Sequence, residues 1–479
     1  MFNRFSRKKI GLSGDQVKSQ LFRLTPRLSK KFWSAVPFKL ILKLWLVWAC
    51  LIHYYEHTVV SRAMKKCAWG NWEKWEPAAQ PHRVALFADP QIMDAYSYPG
   101  RPGVVNGITR VILDHYLARN WRYVQHQLNP DSTFFLGDLF DGGREWGDDY
   151  WFKEYKRFNS IFPRVPGKLM KTSVAGNHDI GFGDTVVRES LDRFSAYFGE
   201  MNDVVDVGNH TFVILDTISL SDNVDNYISG FPKKFLENFN RHDHPNPKIL
   251  LSHVPLFRDP EKQTCGKERE SHNLFPLTKG EQYQTVISPE ISKNVLSVID
   301  PILLFSGDDH DYCHITHEFQ LPDSTETKIA NEYTVKSCAM NMGISKPAIQ
   351  LLSLYNPLGS SANYSPDPTY STEMCYLPDP YKPLKMYGVC TVLTFLILLK
   401  HCFYTKRYHG GKRSIFSRLF ESKQDTSLPL PISHASEDKL MKASAMDNIE
   451  KPNLKEFGKI LTVMTTSVLF IFSFYYLLV

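Results

Sequence analysis

Five short apolar runs in this 479-residue chain each end in polar side chains that could bind metal ions. The runs with their polar ends are RVALFADPQ, STFFLGDLF, KTSVAGNHD, KILLSHVP and PILLFSGDDH, between Arg83 and His310. A buried charge is costly unless something pairs with it, and a metal ion is one such partner. The alternative is that each run simply ends in solvent.

The candidate ligands are oxygen and nitrogen donors. They are Asp89, Gln91, Asp138, Asn177, His178, His253, Asp308 and His310. Four of the five clusters contain no cysteine, which argues against a structural zinc site. Eight ligands are too many for one tetrahedral ion but suit two ions that share a carboxylate. Two such ions can clamp the attacking and leaving oxygens of a phosphoryl transfer.

The apolar runs themselves predict how these side chains are positioned. Each run is short and does not alternate with polar residues, which is typical of a strand buried on both faces. A helical stretch at 109–128 separates the first two runs, and this strand–helix–strand order predicts an α/β sheet. Ligands of such sheets bind beyond the carboxyl ends of the strands. We therefore expect the five loops to converge on one site.

The five clusters resemble the motif series of the calcineurin-like metallophosphoesterases. That series reads D-x-H, G-D, G-N-H-[DE], a lone His after a strand, and G-H-x-H, and this chain has the same order from Asp89 to His310. The resemblance implies an α/β fold, a two-sheet αββα sandwich, here flanked by transmembrane helices. It also implies a phosphoric diester hydrolase that holds two divalent metal ions and activates water to attack phosphorus.

The family pattern also implies roles for individual residues. Asp138 would bridge both ions, and His178 would lie over the phosphate and stabilise or protonate the leaving oxygen. The other implied ligands are Asp89, Gln91 and His310 for one ion, and Asn177, His253 and Asp308 for the second. Gln91 and Asp308 stand where the family has histidines. Oxygen donors at these positions favour Mn²⁺ or Mg²⁺ over Zn²⁺, with Mn²⁺ our choice, and leave open whether Gln91 binds metal at all.

Three apolar stretches predict membrane spans at 37–56, 384–404 and 459–479. For the first, which Lys43 interrupts, the alternative is a buried or interfacial helix. The segments 1–36 and 405–458 are rich in Lys and Arg, so the positive-inside rule places both in the cytosol. Segment 405–458 is also Pro- and Ser-rich, which predicts disorder. The domain at 57–383 would then lie in a lumen or outside the cell.

Two further features agree with that compartment. Asn209 and Asn363 begin glycosylation sequons. Five cysteines, which can form disulfides there, fall in the same region: Cys67, Cys265, Cys313, Cys338 and Cys375. Because five is odd, at least one must stay free or pair elsewhere, and the sequence leaves the pairs open.

Together with this topology, the variants ADPQ, GDLFDGGR, GNHD, LSHVPL and FSGDDHDYC resemble one branch of the family. It comprises fungal and animal endoplasmic reticulum phosphodiesterases that remodel glycosylphosphatidylinositol (GPI) anchors. The resemblance implies removal of a side-branch ethanolamine phosphate from a GPI mannose, which favours export of the anchored proteins. The implied partners are a GPI-anchored glycolipid or protein and cargo-export machinery. The alternatives are an esterase for another lipid or nucleotide, or a non-catalytic cargo adaptor.

Nothing in the composition favours nucleic acid as a partner, because the formal net charge is only +6. Two candidate substrate contacts follow Asp138 in the stretch DGGREWGDDYW. Trp146 could hold an ammonium on its ring face, and Arg144 could contact a phosphate oxygen. The alternatives are a Trp that packs inward and an Arg in a surface salt bridge.

The remaining predictions concern two polar residues, two strand-like stretches and one linker. His314 is either a support for a metal ligand or a surface residue, and Asp216 either supports the site or ends a structural strand. The stretches NEYTVKS and AIQLLSLY are expected to extend the second sheet. The Pro- and Ser-rich stretch 356–383 reads as a linker into the second span.

Overall fold

The structure is a computed structural model that describes residues 37–322, 324–357, 366–405 and 454–478. The predicted cytosolic tail 1–36, most of the predicted loop 405–458 and the sequon residue Asn363 lie outside these residues. The described chain divides into a catalytic unit, mainly 53–385, and a unit of apolar helices.

The catalytic unit contains two sheets. The strands of the first are β1 His82–Phe87, β2 Ser132–Phe135, β3 Leu169–Lys171, β10 Ala348–Leu354 and β11 Tyr370–Tyr376. They lie in the order β11-β10-β1-β2-β3. The strands of the second are β4 Asp203–Val207, β5 His210–Ile214, β6 Lys248–Leu251, β7 Leu303–Ser306, β8 Cys313–Gln320 and β9 Thr327–Thr334. They lie in the order β4-β5-β6-β7-β9-β8.

Alternate residues of one strand supply two different cores, which explains why the apolar runs do not alternate with polar residues. Val84 and Leu86 of β1 face the layer between the sheets, where Phe134 stacks on Phe212 with ring centroids 4.7 Å apart. Ala85 and Phe87 belong to the outer core with helix residues such as Trp121. Because helices cover the outer faces, the predicted αββα sandwich is confirmed.

The described helices run between these strands and into the apolar unit. They are α1 Phe38–His53, α2 Val59–Lys66, α3 Gly103–Tyr123, α4 Asp148–Ile161, α5 Asn177–Ile180, α6 Arg188–Phe198, α7 Thr217–Leu220, α8 Asn226–Phe239, α9 Pro289–Ile299, α10 Tyr381–Lys400 and α11 Leu454–Leu478. A π-helical turn, Tyr54–Thr58, joins α1 to α2. The helical stretch predicted after the first strand is α3.

Three helical segments are long and apolar enough to cross a membrane: Phe38–Lys66, Tyr381–Phe403 and Leu454–Tyr475. Each coincides with one predicted span, and the first continues about ten residues beyond its predicted end. The extension carries Glu56, whose buried carboxylate pairs with Arg119 and, at 2.9 Å, with His115 of α3. The sequence pattern missed this continuation because charged and polar residues, such as Glu56, Arg62 and Lys65, interrupt the apolar residues after Tyr55.

Two expectations about the chain after β9 were wrong. NEYT does belong to the second sheet, but AIQLLSL forms β10 and pairs antiparallel with β1 in the first. The predicted linker contains β11, which pairs with β10. Its prolines and serines flank a strand whose residues, YSTEMCY, include aromatic and β-branched types. Strand pairing outweighs the linker-like composition around it.

The disulfides are Cys67–Cys375 and Cys265–Cys313. Cys338 keeps a free thiol, as the odd number of cysteines in this region required. The first disulfide joins the residue after α2 to β11, so it covalently closes the catalytic unit between its two ends.

Candidate metal centre

Loops at the carboxyl ends of parallel strands bring the predicted ligands together. Asp89 follows β1 and Asp138 follows β2, while Asn177 comes after β3 in the first sheet. In the second sheet, His253 follows β6 and Asp308 follows β7. Three of these side chains, Asp89, Asp138 and His253, offer ligand atoms that all lie within 4.8 Å of one another and are buried.

The backbone is unusual at these positions. Nine described non-glycine residues have positive φ, and five of them are predicted ligands: Asp89, Gln91, Asp138, Asp308 and His310. Such conformations cost of order 1–3 kcal/mol each and persist only where surrounding contacts enforce them. Those contacts are present, because Gln91 N donates to Asp138 O at 2.9 Å and Asp308 N donates to Asp89 Oδ1 at 3.0 Å.

His253 is held in the tautomer that suits a ligand. Its Nδ1–H donates to the carbonyl of Leu136 at 2.7 Å, which leaves Nε2 able to accept. Nε2 lies 3.4 Å from Asp138 Oδ1 and 3.5 Å from Asp308 Oδ1, without a hydrogen bond to either. A second hydrogen bond that orients the ring is the usual environment of a metal-binding histidine.

Four buried ligand atoms have no hydrogen-bond partner among the described residues: Asp89 Oδ2, Gln91 Oε1, Asn177 Oδ1 and His253 Nε2. The amide of Asn177 is oriented by its own Nδ2, which donates to Gln282 O at 3.1 Å. Leaving a buried polar atom unpaired costs about 1–3 kcal/mol. Divalent cations would satisfy all four atoms at once, so the residues present fit the metals that the resemblance implies. Gln91, whose participation the sequence left open, has its oxygen in this group.

The charged groups of the cluster alter one another's pKa values. Burial raises the pKa of Asp89 well above its usual value, and the neighbouring Asp138 and Asp308 add to the rise. Burial acts in the same direction on Asp138, but His253 and His178 outweigh it and lower that pKa. Burial lowers the pKa of His253, yet Asp138 and Asp308 outweigh it and raise the pKa well above normal. The opposite shifts of Asp138 and His253 reflect the attraction between this imidazole and the carboxylate beside it.

His178 lies at the rim of this cluster. Its backbone N donates to Asp138 Oδ1 at 2.9 Å, and its Nδ1–H donates to the carbonyl of Asp141 at 2.7 Å. The side chain is 28% exposed, whereas that of Asp138 is 2% exposed. A half-exposed imidazole with one nitrogen held by a carbonyl can direct the other toward a bound phosphate. Burial lowers the pKa of His310, the other proposed histidine ligand, which lies in the loop after β7.

Asp179 has a role that the sequence reading missed. Its carboxylate accepts hydrogen bonds from the backbone N of Leu139, Phe140 and Gly176, at 3.1, 3.1 and 2.9 Å. It therefore ties the loop after β2 to the loop after β3. Burial, with the charge of Asp138, raises its pKa to about 7. Asp179 is the final residue of the GNHD motif, so the sequence contained it, but its hydrogen bonds make it a positioning residue rather than a ligand.

The two predicted substrate contacts both have partners within the protein. Trp146 Nε1 donates to Asp94 Oδ2 at 2.7 Å, and its ring lies 4.2 Å from that of Tyr150. Arg144 donates from Nη1 to the carbonyl of Asn177 at 2.7 Å. These contacts brace the loops around His178, and substrate binding by either residue stays a prediction.

Other open alternatives have structural answers. Asp216 caps α7, since its Oδ1 accepts from Ser219 N at 2.9 Å. His314 stacks on Tyr333 with ring centroids 4.2 Å apart, and contacts Asn331 rather than a predicted ligand. Asp309 pairs with Arg269.

A two-sheet sandwich with buried carboxylates, amides and imidazoles beyond its strands defines a metal-dependent phosphoesterase. A model of the family described as calcineurin-like phosphoesterase matches residues 82–312. The chain is 53% identical over 446 residues to cell division control protein 1 of Saccharomyces cerevisiae, which covers 91% of this chain and 90% of that protein. This chain therefore belongs to the calcineurin-like phosphoesterase family, and it is a hydrolase for which the family implies divalent metal ions.

The chain also has more distant similarities to known proteins. The chain is 23% identical over 369 residues to metallophosphoesterase 1 of Danio rerio, which covers 73% of this chain and 88% of that protein. It is also similar to a solved structure described as "Structure of PhoD", with a TM-score of 0.36 and 11% identity over 64% of this chain and 72% of that one.

The close approach of Gly176 to Asp138 generates a prediction. A Cβ at Gly176 would lie 2.0 Å from Asp138 Oδ1 and 2.3 Å from its backbone N, so Gly176→Ala must displace this carboxylate. We expect kcat/KM on an aryl phosphodiester to fall about 100-fold, the usual effect of misplacing a catalytic group by about 1 Å. Metal content measured by mass spectrometry should fall with it.

The matched control is Gly107→Ala in α3, where an added Cβ meets no atom within 4 Å. Alanine is also favoured over glycine within a helix. This variant should keep full activity and metal. Normal metal content and activity in Gly176→Ala would contradict the described packing of the two loops.

Proposed function

We propose that this protein is a phosphodiesterase that removes a side-branch ethanolamine phosphate from a mannose of the GPI glycan in the endoplasmic reticulum lumen. The observation that carries the hydrolytic part is the convergence of buried, unpartnered ligand atoms from Asp89, Gln91, Asn177 and His253. The substrate rests on the resemblance of the whole motif series and topology to the GPI-remodelling branch.

The residues that would hold two Mn²⁺ ions are Asp138, which the family pattern assigns to both, with Asp89, Gln91 and His310 for one ion. Asn177, His253 and Asp308 would hold the other. Three of these seven side chains are carboxylates, two are amides and two are imidazoles, a set dominated by oxygen that favours Mn²⁺ or Mg²⁺. When bound, such ions lower the pKa of water toward neutral and offset the charge of phosphoryl oxygens.

The remaining chemistry comes from the chain itself. Asp138 cannot rotate freely, because the backbone N of His178 donates to its Oδ1. The same stretch holds His178 with its Nδ1 proton on the carbonyl of Asp141, so that the other nitrogen can hold or deliver a proton. We propose that this nitrogen protonates the mannose oxygen as it leaves phosphorus. General acid catalysis of this kind contributes roughly 10²–10⁴-fold.

The lumenal location is supported by features of the catalytic unit. Its two disulfides require an oxidising compartment to form and persist. Asn209 is exposed in the turn between β4 and β5. Three candidate spans with basic segments before the first and after the second give the proposed topology.

Glycosylation tests this topology. The full chain expressed in a eukaryotic cell should carry a glycan at Asn209, so digestion with an N-glycosidase should increase its mobility on a gel. Asn209→Gln should remove that part of the shift, and Asn363→Gln should remove any remainder. A cytosolic catalytic unit predicts no shift in any of the three proteins.

Two variants separate metal binding from proton transfer. Asp138→Ala removes the shared carboxylate, so we expect loss of both metal and activity toward an aryl phosphodiester. His178→Ala removes no ligand, so metal content should stay normal while kcat falls about 10²–10⁴-fold. The exposed His242, which follows α8 and contacts the carbonyl of Asn238, provides a matched control, and His242→Ala should retain both properties. Normal turnover by His178→Ala would contradict the proposed mechanism.

The substrate is tested with a GPI glycan that bears side-branch ethanolamine phosphate. Full-length protein with Mn²⁺ should remove that group, measured by mass spectrometry of the glycan, and also reveal which mannose carries the cleaved branch. Chelator and Asp138→Ala should each prevent the loss. Cleavage of an aryl phosphodiester without cleavage of this glycan would contradict the proposed substrate while leaving the metal chemistry intact. Failure to cleave either would contradict both.

A further inference from the structure

A cavity of about 1000 Å³ lies within the catalytic unit and involves none of the proposed metal ligands. One wall consists of the turn after α1 and helix α2, including Tyr54 and Arg62. A second consists of a loop with Lys267 and Glu268, and a third of β11 and the residues leading into α10. The Cys67–Cys375 disulfide joins the first wall to the third.

Basic side chains line part of this cavity. They are Arg62, Lys66, Lys267 and Lys382. Within the part of the chain that the structure describes, none of the four forms an ion pair, although Arg62 lies over the ring of Tyr54 at 5.9 Å. Four cations around one cavity without carboxylate partners form a setting that would attract an anion.

Acidic and phenolic groups line another part. Glu268 Oε2 accepts the hydroxyl hydrogen of Tyr376 at 2.8 Å. Glu373 lines the same cavity as Glu268, and burial together with the charge of Glu268 raises its pKa. A cation bound in the cavity beside these two carboxylates would offset their negative charge.

The position of the cavity in the chain points to a lipid. Tyr54 and Tyr55 directly follow the apolar helix α1, and Lys382 lies at the start of α10, which continues as an apolar helix. Tyrosine, lysine and arginine at the ends of membrane helices mark the level of the lipid headgroups. Residues from two such helix ends line this one cavity.

We propose that the cavity binds a membrane-lipid headgroup that carries a phosphate and a primary ammonium, as in phosphatidylethanolamine. The phosphate would contact basic side chains such as Lys267, which precedes Glu268 in the loop, and Arg62 of α2. The ammonium would donate hydrogen bonds to Glu268 and Glu373. A choline headgroup has no N–H to donate, so the cavity should prefer ethanolamine.

The same chemistry occurs in the ethanolamine phosphate of the proposed GPI substrate, a second source that rests on the proposed function. Chain continuity links the cavity to the metal centre, because Tyr312 follows His310 by two residues and Glu268 precedes Arg269, the partner of Asp309. A headgroup held here would therefore contact the same loop that supplies two proposed ligands.

The test uses the full-length protein in detergent, treated with EDTA so that the metal centre does not contribute. Dihexanoyl phosphatidylethanolamine, phosphatidylcholine and phosphatidylglycerol are titrated separately, and binding is followed by tryptophan fluorescence and native mass spectrometry. We expect the ethanolamine lipid to bind at least about tenfold more tightly than the other two. Equal binding of all three lipids, or binding of none, would overturn the proposal.

Two variants locate the binding. Glu373→Gln changes an exposed side chain, so the fold should persist while the preference for ethanolamine over choline falls about tenfold. Lys267→Met, also exposed, should weaken binding of both lipids. The controls are Glu237→Gln and Lys293→Met, exposed residues that do not line the cavity. Wild-type binding by both cavity variants would overturn the proposal.

A final experiment distinguishes a headgroup that belongs to a membrane lipid from one that belongs to the GPI substrate. A water-soluble GPI glycan with ethanolamine phosphate is added to the lipid-bound, EDTA-treated protein. Displacement of the lipid, lost in Glu373→Gln, would assign the cavity to the substrate's own side branch, whereas no displacement would assign it to bulk lipid. Because metal is absent throughout, failure of catalysis cannot mimic failure of this site.

Discussion

The structure depends on holding the carboxylates of Asp89, Asp138 and Asp308 together beneath the protein surface. Burial and the charges of Asp138 and Asp308 raise the pKa of Asp89, whereas the neighbouring His253 lowers the pKa of Asp138 against the effect of burial. A fold can keep such a cluster only if its backbone leaves little freedom to separate the groups. The two sheets meet that requirement, because parallel strands from both deliver their loops to one place.

The backbone conformation of the loops shows how they hold these side chains close together. Five predicted ligands adopt positive φ, and hydrogen bonds between successive loops hold them there. Gly176 and Gly137 allow the close approach, since a Cβ on Gly137 would lie 2.4 Å from His253 Nδ1. Asp179 adds three hydrogen bonds that join two of the loops. Backbone strain and close packing are thus concentrated where the chemistry would occur, and the packing of the surrounding cores offsets the free energy of that strain.

Sequence patterns predicted the parts of this arrangement that depend on local chemistry. The buried strands, the helix after β1 and the convergence of the polar clusters all follow from residue types along a short window. Residue types did not predict that β10 pairs with β1, because this pairing depends on which sheet edge is free in three dimensions. Cys67 and Cys375 are 308 residues apart, so their pairing was equally inaccessible. Asp179 was visible in GNHD, but only the fold shows which backbone groups it binds.

The departures from the family motifs at Gln91 and Asp308 argue for an active centre rather than a degenerate one. A site released from metal binding has no reason to keep buried atoms unpartnered, yet Gln91 Oε1 and Asp89 Oδ2 remain so. Asp308 is a third carboxylate beside Asp89, whose Oδ1 accepts a hydrogen bond from the backbone N of Asp308. Replacing an imidazole by the carboxylate of Asp308 adds negative charge at a point 3.5 Å from His253. That charge is tolerable only beside cations, and oxygen donors suit hard divalent ions better than zinc.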